Sequence, residues 1–255
     1  MIAFISQVLS MKNKLRKYFK LLLILFLSLI LSVGCNKSDN RTFNAGFEYY
    51  PIVAGHYITY SVDSFYYSST NYPQIRIDTI HYEIKELIDT SFLDNAGRTS
   101  YRIERYRRPD AYSNWSIDRI WSVNNNNIVL DKNEDDLHFI KLVFPIVEGK
   151  TWKGNRQIAA IDEHMYLKDW IYQYQDIDQS YTIGMEVFDS TLLVMQVNVE
   201  NLIEKKFAYE RYAKGIGMIS KEIKFLGKQR DLTNGWGYPE TGVWVRYEYT
   251  GSGQE

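Results

Sequence analysis

The sequence predicts a mainly β protein: a single antiparallel barrel, half-barrel or sandwich of about ten strands, preceded by a signal helix and a short tether. Three observations predict it. Apolar and polar residues alternate with a period of two through much of residues 57–249, the period at which a strand presents one face to a core. Turn signals separate these runs at Asp94-Asn95-Ala96-Gly97, Arg108-Pro109-Asp110, Asn124–Asn127 and Asn234-Gly235. No window of 12 residues beyond the first 35 carries a convincing helical stripe.

The chain starts with a different grammar. Residues 1–34 hold five basic residues (Lys12, Lys14, Arg16, Lys17, Lys20) and no acidic ones, and the basic stretch leads into the apolar run Leu21–Val33. Small residues follow at Ser32, Gly34 and Cys35. This order of charge, apolar run and small residues is that of a secretory signal. The apolar run is 13 residues, flanked by Lys20 and by Lys37 and Asp39, too short for the roughly 20 residues of a membrane span. Residues 1–10 add nothing to the signal, and Met11 is the better physical start.

The ending Leu31-Ser32-Val33-Gly34-Cys35 resembles a bacterial lipoprotein signal, with Ser32 departing from the usual Leu. The resemblance implies cleavage between Gly34 and Cys35, and acylation of Cys35 by diacylglycerol and palmitate-type chains. Cys35 is the single cysteine of the chain, which excludes a disulfide framework and a cysteine zinc site. Two or more acyl chains, at about 0.8 kcal/mol per buried methylene, anchor a protein durably. Asn36 stands where the inner-membrane retention signal of enteric bacteria has aspartate, so by analogy the outer membrane is expected, on its periplasmic or its surface face.

The domain reading is therefore a signal peptide over 1–34, a lipidated N-terminus and tether over 35–46, and one β-rich domain over 47–255. The tether NKSDNRTFNAG is short and polar. The strand candidates run in order through Tyr57–Asp63, residues 75–86, Ser100–Arg107, Trp115–Val123, Ile128–Asp131, Leu137–Phe144, Tyr181–Phe188, Leu192–Val199, Asn201–Tyr212, Gly217–Phe225 and Val243–Tyr249. Within 75–86 the alternation slips by one residue between Ile77 and Ile80, which predicts a bulge or bend. In the last run, Val243, Val245, Tyr247 and Tyr249 share one face. A short helix fits only near Ile161–Tyr172.

One segment occurs twice. Pro51-Ile52-Val53-Ala54-Gly55 returns as Pro145-Ile146-Val147-Glu148-Gly149, each behind an aromatic residue. Proline stops a strand and glycine permits a turn, so both copies predict strand-entry corners, with glycine at positive φ and proline outside sheet pairing. A duplicated half-domain and a local turn used twice both account for the echo.

The segments YYPIVAGHYITYSVDS, GRTSYRIERY, FIKLVFPIVEGKTWKGN and YERYAKGIGMISKEI together resemble a family of uncharacterised lipoproteins common in Bacteroidota, in which a YYP…G…Y opening, an FP…GK.W.GN middle and a YA.GIG strand entry recur. The resemblance covers most of residues 48–226. It implies a β-rich, lipid-anchored, extracytoplasmic domain and brings no catalytic residue.

Composition narrows the function. Without the first 34 residues, 25 basic residues face 31 acidic ones, a balance of about −6 that excludes a basic nucleic-acid footprint. The four histidines (His56, His81, His138, His164) form no HxH or HExxH spacing, so no metal site is expected. The run Asp131–Asp136 begins like a calcium loop, but Asp136 stands where glycine is needed and Leu142 where a bidentate Glu is needed. A solvated hairpin tip explains it. No GxSxG, phosphate-binding glycine loop or dinucleotide fingerprint is present, so no cofactor is expected and catalysis has no specific support.

Aromatic residues are the remaining clue: 35 of the 221 residues from Cys35 onward are Tyr, Trp or Phe. Trp115, Trp121, Trp152, Trp236 and Trp244 are candidates for ligand contact, against which stands ordinary cross-strand pairing. Trp236 and Tyr238, between glycines in a loop, are the two aromatics that pairing does not explain. The leading expectation is a lipid-anchored β-domain with a non-catalytic binding or envelope-structural role. Its alternatives are a carrier that shelters a lipid or acyl chain in a half-open barrel, and a glycan hydrolase with unrecognised paired carboxylates.

Overall fold

The computed structural model describes residues 16–20, 44–71, 74–159, 161–228 and 239–255. The chain divides into two compact units, Met1–Phe43 and Asn44–Glu255. In the first, residues 16–20 are helical. The junction Gly34-Cys35 lies outside the described residues, as do Trp236 and Tyr238. Among the described residues no helix is long and apolar enough to cross a membrane.

The second unit is an antiparallel sheet of twelve strands that curls into a nearly closed barrel. In chain order they are β1 (His56–Asn71), β2 (Gln74–Leu93), β3 (Thr99–Arg108), β4 (Ser116–Asn125), β5 (Val129–Glu134), β6 (Leu137–Val143), β7 (Thr151–Trp152), β8 (Tyr172–Ile183), β9 (Glu186–Glu200), β10 (Glu204–Ala213), β11 (Gly217–Gly227) and β12 (Thr241–Gln254). Consecutive strands lie side by side except β6 and β7, which are the two ends of the sheet, and β12 returns to pair with β1. The order β6-β5-β4-β3-β2-β1-β12-β11-β10-β9-β8-β7 is two six-stranded meanders joined through β1 and β12.

Where β6 meets β7, single bonds replace a ladder. The Ile140 N–H donates to Gly154 C=O at 2.8 Å, and the Trp152 indole N–H donates to Ile140 C=O at 2.8 Å. The Tyr174 hydroxyl accepts from the Val143 N–H and donates to the Val143 carbonyl. Side chains of β7 and β8 thus satisfy the edge of β6, which otherwise presents unpaired backbone.

Both Pro-Ile-Val corners are strand entries, and they are built alike. His56 N–H donates to Val53 C=O (3.0 Å) and Lys150 N–H to Val147 C=O (3.1 Å), closing two four-residue turns. Gly55 and Gly149 hold the third positions at φ 86° and 75°. Each glycine N–H then reaches the next strand, at Ile88 C=O (2.7 Å) and Tyr174 C=O (3.0 Å). Pro51 and Pro145 lie outside the strands. The equivalent corners open β1 and β7, the first strand of each meander.

Three sequence expectations change. The phase slip in residues 75–86 is no bulge there: β1 and β2 stay in register from Tyr57↔Leu87 to Ser68↔Arg76. The outer part of this hairpin runs past its neighbours, since β3 reaches only to Glu83 and β12 only to Tyr67. Ile77 and Ile80 are accordingly exposed, and no core selects one face. The segment Tyr181–Phe188 is two strand ends around the Gly184-Met185 turn, with Gly184 at φ 58°. The helix expected near Ile161–Tyr172 is a 3-10 helix, Asp162–Leu167, and β8 starts at Tyr172, where polar Gln173, Gln175 and Asp176 obscure the strand in the sequence.

The core fills the barrel. Ile58, Tyr60, Val62, Ile84, Ile103, Val123, Leu130, Leu142, Tyr172, Tyr174, Leu192, Val194 and Ala208 are buried in one cluster, each large apolar side chain contributing about 1.5–3 kcal/mol. Val243 lies on the same wall as Val245, Tyr247 and Tyr249, which pack on this cluster as their alternation predicts. The entry segment stops one end: a 3-10 helix, Phe47–Tyr49, sinks Tyr49 into the barrel, where its hydroxyl bonds Asp178 at 2.8 Å.

Candidate functional site: the buried ion network and the barrel mouth

Interior-facing positions of seven strands carry charge. Glu86 (β2), Arg105 (β3), Asp118 (β4), Lys132 and Glu134 (β5), Lys141 (β6), Glu210 (β10) and Lys221 (β11) form one network of four cations and four anions. Lys141 Nζ lies 2.8 Å from Glu210 Oε1 and 3.1 Å from Glu134 Oε1. Lys132 Nζ is 2.9 Å from Glu86 and 3.4 Å from Glu134. Lys221 Nζ is 3.3 Å from Glu210, and Arg105 pairs with Asp118. Tyrosines complete the valences: Tyr212 donates to Glu210 Oε2 (2.6 Å), and Arg105 donates to the Tyr247 hydroxyl (3.1 Å).

Burial opposes every charge here, but the partners reverse its effect. Desolvation pushes the Glu210 carboxyl up, yet Lys141 and Lys221 hold it down at about 2. Glu134 is held well below the usual carboxylate range against the same desolvation, by Lys141, Lys221 and Lys132. Desolvation works against the Lys132 ammonium, and Glu86, Tyr50 and Glu134 raise it well above its ordinary value. Burial and the adjacent Glu210 charge push the Tyr212 phenol well up. The network is therefore a charge-balanced layer in which Glu134 and Glu210 are held ionised and the Lys132 and Lys141 ammonium groups are held protonated by their partners. The cavity beside it measures about 30 Å³, enough for a water and far too small for a sugar ring.

The tryptophans named from the sequence are mostly structural. Trp121 covers the network, with Arg105 and Lys132 over its ring at 5.0 and 4.7 Å. Trp152 packs on Tyr172 and Tyr174 inside the barrel. Trp244 stacks on its cross-strand partner Phe65 at 4.7 Å, and Trp115 lies under Arg108. His56 bonds the Ile216 carbonyl, His81 pairs with Asp63, and His138 with Asp131. Among the described residues no group of His, Cys, Asp or Glu can hold a metal ion. The acids of residues 131–136 diverge: Asp131 faces His138, Glu134 enters the network, and Asp135 accepts from Trp121. Asp135 and Asp136, both at positive φ, are the two-residue tip of the β5–β6 hairpin.

Past the charged layer, the interior wall turns apolar. On β11 the residues after Lys221 on that face are Ile223 and Phe225. On β12 those beyond Tyr247 are Val245 and Val243. These four, with Ile203 and Tyr166, line a groove of about 730 Å³ rimmed by Glu204, Lys205, Lys206 and Thr241. Tyr166 and Trp170, from the segment between β7 and β8, bring their rings to 5.1 and 5.7 Å from Phe225. The groove has the size of a small-molecule site. It lies at the Gly227 end of β11, whereas the Gly217 end touches Ile58 beside Pro51. Ten strand residues, about 34 Å, separate the two ends of β11. Sequence reading missed this site because its members sit on three strand ends and a loop that no local pattern joins. Family models, curated proteins and solved structures were all compared with the chain, and none matches it.

Proposed function

We propose that this chain is a lipid-anchored envelope lipoprotein with a non-catalytic binding role, and that its barrel mouth holds an apolar ligand. The observation that carries the reading is the apolar groove formed by Ile203, Ile223, Phe225, Val243 and Val245 at one end of an otherwise filled barrel. An envelope-structural role does not need such a concavity. A glycan hydrolase needs two free acids across a cleft, whereas Glu134 and Glu210 are ion-paired beside a cavity of water size.

The test is a titration with the neutral fluorophore N-phenyl-1-naphthylamine. Saturable binding by the wild type is expected, and a loss of at least tenfold in affinity for Val243→Asp, which sets a charge on the groove wall without touching the ion network. Equal binding by both proteins places the probe elsewhere and rejects the site. The anchor is tested separately: a palmitate analogue is expected to label the wild type and not Cys35→Ala, and labelling of the alanine variant excludes Cys35 as acceptor.

A further inference from the structure

A second concavity, of about 220 Å³, adjoins the mouth on the far side of Trp170. Its lining includes Lys153, Arg156, His164, Lys168 and Asp169. Elsewhere in the domain cations are mostly matched: the four in the barrel interior all have carboxylates, and the outer faces carry pairs such as Arg246–Asp63 and Lys224–Glu222. Here they are not. Lys153, Arg156 and Lys168 make no side-chain hydrogen bond or ion pair among the described residues, and the Nδ1 atom of His164 is shielded from solvent without a partner. Among the described residues Asp169 is the single acidic side chain of the lining, and it makes no side-chain hydrogen bond or ion pair with them.

Buried residues fix the backbone of this cleft, on which Lys153, Arg156 and Lys168 stand exposed. Asn155 is buried, donates to the Leu167 carbonyl (2.8 Å) and accepts from the Tyr172 hydroxyl (2.7 Å), so it ties the turn following β7 to the 3-10 helix and to the start of β8. Trp170 is buried, and its indole N–H caps the Tyr166 carbonyl (2.9 Å). The same helix thus turns Tyr166 toward the apolar groove and His164 toward the basic cleft. The two walls meet at Trp170, whose ring packs on Phe225 on one side and lines the cleft on the other.

From this we propose that the ligand is an anionic amphiphile: the chain lies in the groove along Phe225 and Val243, and a carboxylate or phosphate monoester head sits among Lys153, Arg156 and Lys168. The inference rests on the apolar-ligand reading of the mouth and adds the head-group class. Lys153, Arg156 and Lys168 are exposed and without a carboxylate partner among the described residues, so an anion in the cleft can accept charge-assisted hydrogen bonds from them. Arg156 supplies a planar fork suited to either head, and the lysines act as point charges.

The test uses the full mature protein and three probes of equal chain length: palmitate, hexadecyl phosphate and hexadecanol. At low salt, at least one charged probe is expected to bind about tenfold tighter than hexadecanol, and that advantage should shrink as salt screens it. The tighter of the two charged probes identifies the head. Lys153→Gln/Arg156→Gln/Lys168→Gln should abolish the advantage and leave hexadecanol binding unchanged, which also reports that the barrel is intact. Asp169→Asn removes the opposing carboxylate and should tighten charged probes alone, an effect of opposite sign that damage to the fold does not produce. If charged and neutral probes bind alike, the head site is refuted while the apolar mouth stands. If no probe binds, both readings fall.

Discussion

Tyr174 stitches the barrel at Val143: its hydroxyl accepts the Val143 N–H at 2.7 Å and donates to the Val143 carbonyl at 3.0 Å. One phenol thereby does the work of a two-bond ladder step between β6 and β8, across the seam that two-residue β7 is too short to pair. Burial pushes this phenol well above its ordinary range, so the donor stays on the hydroxyl at any pH the cell meets.

Tyr174→Phe tests the stitch. It keeps the ring against Trp152 but leaves the half-buried Val143 N–H and C=O without this partner, at about 1 kcal/mol for each lost hydrogen bond. Urea unfolding should show the loss, and hydrogen exchange should show it concentrated in β6. An unchanged midpoint with unchanged β6 protection means that the seam is held elsewhere.

Glu210 is the hinge of the ion network, shared by Lys141, Lys221 and Tyr212. Glu210→Leu leaves Lys141 and Lys221 with Glu134 as their shared remaining carboxylate and the layer one negative charge short, and breaking a buried pair in this way costs about 3–5 kcal/mol. Glu210→Gln keeps the hydrogen-bonding shape and removes only the charge, so it should cost less. A leucine variant as stable as the wild type, by urea midpoint, contradicts the account of the layer.

The same carboxylates set an acid limit. Glu134 and Glu210 titrate lower in the folded protein than the ordinary carboxylate value of 4.5. Groups depressed by folding contribute stability above the unfolded value, and this is lost as protons bind preferentially to the unfolded chain. Stability should therefore be level above about pH 4.5 and fall progressively toward about pH 2, the folded value of Glu210. Urea midpoints across this range check it, and Glu210→Gln should flatten part of the slope. A wild-type midpoint independent of pH between 4.5 and 2 contradicts the depression.

The two corner glycines should differ in a stated order. Both adopt positive φ, which costs a β-branched residue on the order of 1–3 kcal/mol. Gly149 has open space where a Cβ would stand, whereas at Gly55 a Cβ would run into the backbone of Glu255 and the side chain of Gln254. Gly55→Val is thus expected to destabilise more than Gly149→Val, because strain is joined by a clash with the β12 terminus. Thermal midpoints decide; the reverse order rules out the steric argument.

Local patterns carried much of the fold. The alternation at Val243–Tyr249 placed its core face correctly, and the Pro-Ile-Val-x-Gly echo located both strand entries, because each depends on residues within one turn of each other. β7 and most of β8 were not legible: two residues give no periodicity, and Tyr172 and Tyr174 alternate with glutamines that read as a loop. The ion network was hidden for another reason. Lys132, Lys141, Glu210 and Lys221 are ordinary charged residues in sequence, and only the curl of the sheet turns them inward against one another. The mouth is equally non-local, since Tyr166, Ile203, Phe225 and Val243 converge from four elements.

The most direct test of the central claim, an apolar ligand in the barrel mouth, is photo-crosslinking with a diazirine-bearing palmitate followed by peptide mapping. The account predicts that label falls on the peptides carrying Tyr166, Phe225 and Val243, and that unlabelled palmitate competes it away. Label confined to the outer-face ladder of Phe65 and Trp244, or spread without competition, contradicts a site in the mouth.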